Sequence, residues 1–322
     1  MNDLISLADV EAAARRIAAH VAVTPLLAFG ATGVLLKAES LQPSGAFKLR
    51  GAFNALLALD AAARARGVVA HSSGNHAIAV AYAAQVLGVS ATLVMPANAP
   101  AVKRAWVARL GARLELVGPA SSERLARAAA LAGAEGLTLI EPYDAAAIIA
   151  GTGTIALEII DAVSDSHAGP LELYVPVSGG GLIAGVAAAA KARDASVRVI
   201  GVEPELAADA QASLRAGVRV EWPASDVVRT LADGLRVQRV GALPWAHIQR
   251  YVDDIVTVTE DEMLDAVRDL ALDARLVAEP SGAVAPAAAR AGRGGAPGAR
   301  RVAVVSGGNV DPAVFRAALA RV

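Results

Sequence analysis

The sequence contains no cysteine, which excludes disulfide bonds, thiolate catalysis and cysteine-ligated zinc together. Aromatic residues make up only 3% of 322 positions, too few to furnish stacking platforms for bases. Neither sign of charge prevails: 30 Lys and Arg stand against 31 Asp and Glu, a formal net charge of -1, so there is no basic footprint for nucleic acid. A small ligand of compensated charge suits such a chain better. No secretion signal is expected, because Met1-Asn2-Asp3 is acidic and a capped helix follows directly. Apolar runs such as Gly179 to Ala190 stop at a charge before reaching membrane-spanning length. A soluble, cytoplasmic protein with neither a membrane nor a nucleic acid as partner is therefore expected. What the chain has in plenty is apolar residues, 55% of the total, enough to bury a large core in two domains.

Its punctuation is regular. Ser6, with Asp9 three residues on, caps a helix predicted over Leu7 to His20, and Thr24-Pro25 ends it. A buried strand is predicted over Val34 to Ala38. After Gly67 strands (68–71, 91–95, 113–117, 137–140) alternate with helices (75–87, 101–110, 121–134). The second half resumes with helix 154–163, strand 171–177, helix 182–192 and strand 197–202, then an irregular stretch over 214–251, and strands 255–258 and 302–305. Strands alternating with helices of ten or so residues imply parallel strands joined by crossovers, with both sheet faces covered.

Chemistry concentrates in a few turns. Pro43, Ser44 and Gly45 read as a turn, and Phe53, Leu56, Leu57 and Ala61 recur at helical spacing, so Lys48 falls in the first turn of a helix, where the dipole disfavours a cation. Three glycine turns follow strands: Ser72-Ser73-Gly74-Asn75-His76, Ser178-Gly179-Gly180-Gly181-Leu182 and Ser306-Gly307-Gly308-Asn309. A fourth, Gly151-Thr152-Gly153-Thr154, is expected to open a helix. In an open parallel sheet, ligands bind beyond the carboxyl ends of the strands, where the first three turns must lie. Three consecutive glycines before a helix suit a phosphate. No Gly-Lys-Ser/Thr follows them and the spacing is not that of a dinucleotide site. A phosphate site without a nucleotide motif, beside a turn-borne lysine, suggests a phosphorylated cofactor held as a Schiff base.

On these residues the chain resembles the fold-type-II pyridoxal-phosphate enzymes, in the threonine/serine dehydratase and serine racemase branch. Gly45 to Ala52, Ser72 to Ala77, Ser178 to Leu182, Glu279 to Ala283 and Ser306 to Asp311 match that branch's motifs in its order. The resemblance implies an α/β fold with two open parallel-sheet domains, tryptophan synthase β-like, and the cofactor in the cleft between them. The larger domain would be residues 1–60 and 146–322, and the smaller one 61–145. It implies that Lys48 binds pyridoxal 5'-phosphate and moves the substrate's α-proton, that Phe47 lies against the pyridine ring, and that Asn75 bonds the phenolic oxygen. Ser178, Gly179, Gly180, Gly181 and Leu182 would hold the phosphate, and Ser306 would face the pyridine nitrogen. The loop Ser72, Ser73, Gly74, Asn75 and His76 would hold the carboxylate of a small amino-acid substrate, with Ser73 a second proton carrier. A homodimer is expected.

The same resemblance, and two carboxylates six residues apart, point to a Mg2+ or Ca2+ site at Glu203, the Ala207 carbonyl and Asp209; a pair of exposed acids is the competing account. Ala46 and Thr152 depart from the residues common in relatives. His20, His71, His167 and His247 show no metal or nucleophile spacing, His76 is expected to pack or cap, and Lys103, Arg104 and Arg109 to form a solvated helix face. The expected activity is β-elimination of water and ammonia from a β-hydroxy amino acid, L-threonine or L-serine by default. Serine racemisation and 3-hydroxyaspartate dehydration are the alternatives, and a non-catalytic binding protein the reading from another class.

Overall fold

The computed structural model describes residues 4–118, 120–163 and 169–321; Met1-Asn2-Asp3 and His167 lie outside them. Among the described residues ten strands follow in chain order: β1 Leu26–Ala28, β2 Val34–Lys37, β3 Val68–His71, β4 Ala91–Pro96, β5 Arg113–Val117, β6 Thr138–Leu139, β7 Leu171–Pro176, β8 Arg198–Pro204, β9 Asp254–Val258 and β10 Arg300–Val304. They form two sheets, ordered β1-β2-β10-β7-β8-β9 and β5-β4-β3-β6. Every neighbouring pair is parallel except β1 with β2. β4 and β7 are buried at every position, which is what helices on both faces of a parallel sheet produce and why both are mostly apolar, Thr92 and Glu172 excepted.

Helices form where the sequence marks them. Ser6 and Asp9 make a reciprocal capping box on the helix Leu7–Ile17. The helix Lys48–Ala58 starts at the lysine itself. Residues two apart on a helix face away from each other, and here that separates two cations by task. Lys48 faces the cleft, while Arg50 is fully buried and pairs with Glu39 at 2.8 Å and Glu158 at 2.6 Å. Lys37 joins Glu158 at 2.5 Å, so two buried cations share two carboxylates. Breaking such a pair from one side costs about 3–5 kcal/mol, and the cluster thereby pins the first turn of the lysine helix.

One expected boundary is wrong. Gly151-Thr152-Gly153-Thr154 lies inside the helix Ala146–Val163 rather than at its start. The two glycines serve close packing: a Cβ on Gly151 would stand 2.7 Å from the Arg50 carbonyl oxygen, and one on Gly153 would stand 2.8 Å from that of Gly185. By length and mean hydropathy this helix could cross a membrane, yet its apolar run stops at the charge of Glu158. It is 67% buried within the protein, and its Glu158 belongs to the ion cluster.

Candidate active site

Three turns at the carboxyl ends of β3, β7 and β10 converge with Lys48 on one cavity of about 420 Å3. Phe47, Lys48, Ser72, Ser73, Gly74, Asn75 and His76 line it from one side, and Ser178, Gly179, Gly180, Gly181, Leu182 and Ser306 from the other. The backbone stitches the lysine turn to the last of these turns. Phe47 N–H donates to the Ser306 carbonyl at 3.0 Å and Gly308 N–H to the Gly45 carbonyl at 2.8 Å. Gly45 adopts φ +74°, and a Cβ there would meet the Asn309 side chain, so no other residue fits.

Lys48 Nζ donates to the Pro142 carbonyl at 2.6 Å and sits 5.1 Å from the centre of the Phe47 ring. Burial pushes its pKa down from the ordinary 10.5 to about 8. The other three lysines of the chain are ion-paired: Lys37 with Glu158, Lys103 with Asp233 and Glu279, and Lys191 with Asp253. Among the described residues Lys48 alone of the lysines has no carboxylate at ion-pairing distance. Burial without an ion-pair partner places it to act as a neutral amine. His76 is buried, its Nε2 lies 3.0 Å from the Ile140 carbonyl, and burial together with Lys48 pushes its pKa down to about 3. It stays uncharged and packs, as the sequence suggests, while also contributing to the cavity wall.

The triple-glycine turn follows β7 and opens the helix Gly181–Arg193. Ser178 takes φ +55° and Gly180 +87°. A left-handed serine is strained, and Ser178 Oγ donating to the Gly234 carbonyl at 3.2 Å helps hold it there. Nothing larger than hydrogen fits this turn: a Cβ on Gly179 would stand 2.4 Å from the Tyr143 ring, and one on Gly180 2.7 Å from Pro244. The first N–H groups of the helix have no acceptor within it, so an anion at this end finds bare donors. Ser306 is nearly buried, and its hydroxyl donates to the Ser281 carbonyl at 3.3 Å.

Sequence reasoning misses Lys103, Asp233 and Arg124 as residues of the site. Lys103 is the clearest, because the structure contradicts its assignment to a solvated face: it is only 3% exposed, its Nζ 2.7 Å from Asp233 and 3.1 Å from Glu279. The signal is there in the helix Ala101–Arg109, whose buried positions are Lys103 and Val107, four residues apart; the lysine interrupts the apolar stripe. Glu279 also accepts a hydrogen bond from the Asn75 amide, and Asn309 donates to Asn75 Oδ1 at 2.9 Å. Tyr143 and Arg124 line the cavity as well, and Asp144 caps the helix Ala242–Tyr251 through the N–H groups of Ala242 and Leu243, each at 2.8 Å.

The proposed cation ligands lie away from this cavity. Glu203 and Asp209 are both buried, which removes the account of them as exposed acids. Glu203 accepts from the N–H of Gln211 at 2.8 Å, while neither Asp209 oxygen has a hydrogen-bond partner among the described residues. Burial raises both pKa values, that of Asp209 to about 7, and their mutual repulsion raises Glu203 further. Two buried carboxylates that repel each other fit a hard metal ion chemically. Among the described residues there is no cluster of three or more His, Cys, Asp or Glu, so backbone carbonyls would have to complete such a site.

The cavity has the parts a phosphorylated aldehyde needs, an amine free to act neutral and a glycine cradle, and the family model that matches residues 17–308 is described as pyridoxal-phosphate dependent enzyme. The chain belongs to the pyridoxal-phosphate dependent enzymes. Within that family it is 39% identical to serine racemase of Schizosaccharomyces pombe (strain 972 / ATCC 24843) over 310 residues, 94% of either chain. It is also 39% identical to L-threo-3-hydroxyaspartate ammonia-lyase of Saccharomyces cerevisiae (strain ATCC 204508 / S288c) over 312 residues, 94% of this chain and 93% of the relative. The structure of the processed form of threonine deaminase isoform 2 from Solanum lycopersicum superposes with a TM-score of 0.88 at 35% identity, covering 98% of this chain and 92% of that one. The two-sheet architecture is that of the fold-type-II members.

Proposed function

We propose that the protein dehydrates and deaminates a β-hydroxy amino acid: β-elimination releases water, and hydrolysis of the resulting imine takes up water and releases ammonia, giving the 2-oxo acid, with L-threonine and L-serine as the default substrates. The observation that carries this is Lys48: the one lysine without a carboxylate partner among the described residues, facing a glycine cradle across one cavity. Lys48 Nζ would hold the aldehyde carbon of pyridoxal phosphate, the Ser178–Leu182 turn its phosphate, Asn75 its phenolic oxygen and Ser306 its ring nitrogen, with Phe47 beside the ring. When bound, the cofactor supplies an electron sink that makes the substrate's α-hydrogen acidic. The backbone N–H groups of Ser72–His76 would orient the substrate carboxylate at the start of the helix Asn75–Leu87. Once the substrate's amine displaces it from that carbon, Lys48 Nζ, its pKa lowered by burial, would take the α-proton, and the resulting ammonium would return a proton to the departing hydroxyl. A serine hydroxyl at position 306, rather than a carboxylate, leaves the ring nitrogen without an enforced charge, which favours prompt loss of a β-leaving group.

A second reading shares the site. Arg124, Arg236 and Arg239 line the same cavity, Arg236 bonded to the Thr230 carbonyl and Arg239 paired with Glu221, and a substrate with a second carboxylate, such as 3-hydroxyaspartate, would meet positive charge on that side. Ser73 on the cavity wall also leaves room for racemisation. A panel of L- and D-serine, L-threonine and L-threo-3-hydroxyaspartate, scored for both 2-oxo acid and enantiomer, orders these activities. Borohydride reduction of the holoenzyme with peptide mapping tests the common core: label at Lys48 is expected, and label at Lys37, Lys103 or Lys191 overturns it.

The cytoplasm is the proposed compartment and a homodimer the proposed assembly. Mg2+ or Ca2+ is proposed at Glu203, Asp209 and the Ala207 carbonyl. A chelator should lower the thermal midpoint, Mg2+ or Ca2+ should restore it, and Asp209→Asn should abolish the response; indifference of the wild type to chelator counts against the metal.

A further inference from the structure

We infer that Lys103 is a positioning residue, which holds the Glu279 carboxylate so that the Asn75 amide keeps one orientation toward the cofactor. The inference deepens the cofactor reading above and rests on it. Lys103 comes from the helix beside the four-stranded sheet, whereas Asp233 and Glu279 belong to the side of the six-stranded sheet, so the ion group crosses the cleft. At 3% exposure it is no surface pair.

The Glu279 carboxylate divides its two oxygens. Oε2 takes the Lys103 ammonium and Oε1 the Asn75 amide. Asn309 Nδ2 donates to Asn75 Oδ1 at 2.9 Å and to the Ser44 carbonyl at 3.0 Å, the latter in the turn that carries Lys48. Asn75 is thus held at both ends of its amide: the oxygen faces Asn309, the nitrogen faces Glu279, and one amide hydrogen is left over for the cavity. The order depends on Glu279 being an acceptor. Burial and the nearby Asp233 push its pKa up, and Lys103 opposes them. Without the ammonium, Glu279 beside Asp233 gains a proton and becomes a donor toward the Asn75 nitrogen, which favours the flipped amide.

Lys103 also bears on the loop directly. A Cβ on Gly74 would stand 2.7 Å from Lys103 Cδ and 3.1 Å from its Nζ, so the loop backbone rests on the lysine stem. One side chain therefore sets both the seat of the carboxylate-gripping loop and the orientation of Asn75.

The test compares wild type, Lys103→Met, Lys103→Arg and Glu279→Gln as holoenzymes. It measures thermal midpoint, kcat, KM, the absorbance spectrum of the bound cofactor and the dissociation constant of pyridoxal phosphate from the apo-protein. Lys103→Met should lower kcat at least tenfold, weaken cofactor binding at least tenfold and shift the absorbance band. Lys103→Arg, which keeps the cation, should stay within threefold on each constant and keep the band. If Lys103→Met is not recovered folded, Glu279→Gln carries the test and should shift the band with a tenfold loss of kcat. A variant that melts lower yet keeps wild-type kcat, cofactor affinity and spectrum shows a merely structural staple and overturns the inference, as does Lys103→Arg failing as badly as Lys103→Met. A wild type with no cofactor band overturns the cofactor reading itself and this inference with it, which tells the two failures apart.

Discussion

Desolvation and the lack of a carboxylate partner act on Lys48 in the same direction, since burial disfavours the ammonium and no anion restores it. Its amine becomes half neutral near pH 8 rather than 10.5, so the rate at which pyridoxal phosphate becomes reducible onto apo-protein should rise with pH through a midpoint near 8. A midpoint at 10 or above would show that the lysine is not desolvated. The sign also holds for stability: the unfolded lysine returns to 10.5, so between pH 8 and 10.5 the unfolded chain binds more protons and this group's contribution to apo-protein stability grows as pH rises. Ser73 carries a second prediction at this scale. Racemisation needs proton carriers on both faces of a planar carbon, and Lys48 serves only one. Ser73→Ala should keep elimination from L-amino acids and abolish both racemisation and elimination from D-substrates; wild-type exchange of L- for D-serine in the variant would remove Ser73 from that role. Lys48 and Ser73 are legible in the sequence because each sits in a turn whose punctuation is local. The burial of Lys103 has a local mark in its apolar stripe, but its pairing has none, because its partners lie 130 and 176 positions away and only the fold brings them together.

Among the elements, the glycine turn and the helix Ala146–Val163 show where local signals suffice and where they mislead. In the turn, three glycines follow a buried strand and precede a helix, and the turn lies where the sequence places it. In the helix, Gly151 and Gly153 look like a start signal but answer to neighbours, the Arg50 and Gly185 carbonyls, that lie far off in the chain. Propensity alone disfavours glycine inside a helix by roughly 1 kcal/mol, which close packing here overrides. The prediction at this scale is Gly179→Ala. Its methyl would stand 2.4 Å from the Tyr143 ring, which must move or push the turn out of shape. Overpacking of this kind costs about 1–3 kcal/mol, so the variant should fold, melt lower and bind pyridoxal phosphate at least tenfold more weakly. Unchanged cofactor affinity by equilibrium dialysis would mean that the turn does not cradle the phosphate.

For the molecule as a whole, the cavity is built from both sheets: Ser72–His76 extends from β3 and Ser178–Leu182 from β7, and neither sheet alone holds both halves. A ligand that spans them stabilises the closed arrangement, because it binds the native cleft and has no such site in the unfolded chain. At a free concentration one hundred times its dissociation constant, such a ligand adds about 2.7 kcal/mol to the free energy of unfolding. For a chain of 322 residues the unfolding entropy is of the order of 0.7 kcal/mol per kelvin, so the expected rise in thermal midpoint is about 4 °C. The size of the rise depends on Lys48 in a defined way. Lys48→Ala loses the covalent link but keeps the glycine turn, Asn75 and Ser306, so it should retain a smaller, concentration-dependent rise with pyridoxal phosphate. Gly179→Ala keeps the lysine and weakens the cradle, so its rise at equal free cofactor should also shrink. A wild type whose midpoint does not move at saturating pyridoxal phosphate would show that the cavity does not join the two sheets through the cofactor. A full rise surviving in Lys48→Ala would show that the covalent link contributes nothing to holding it.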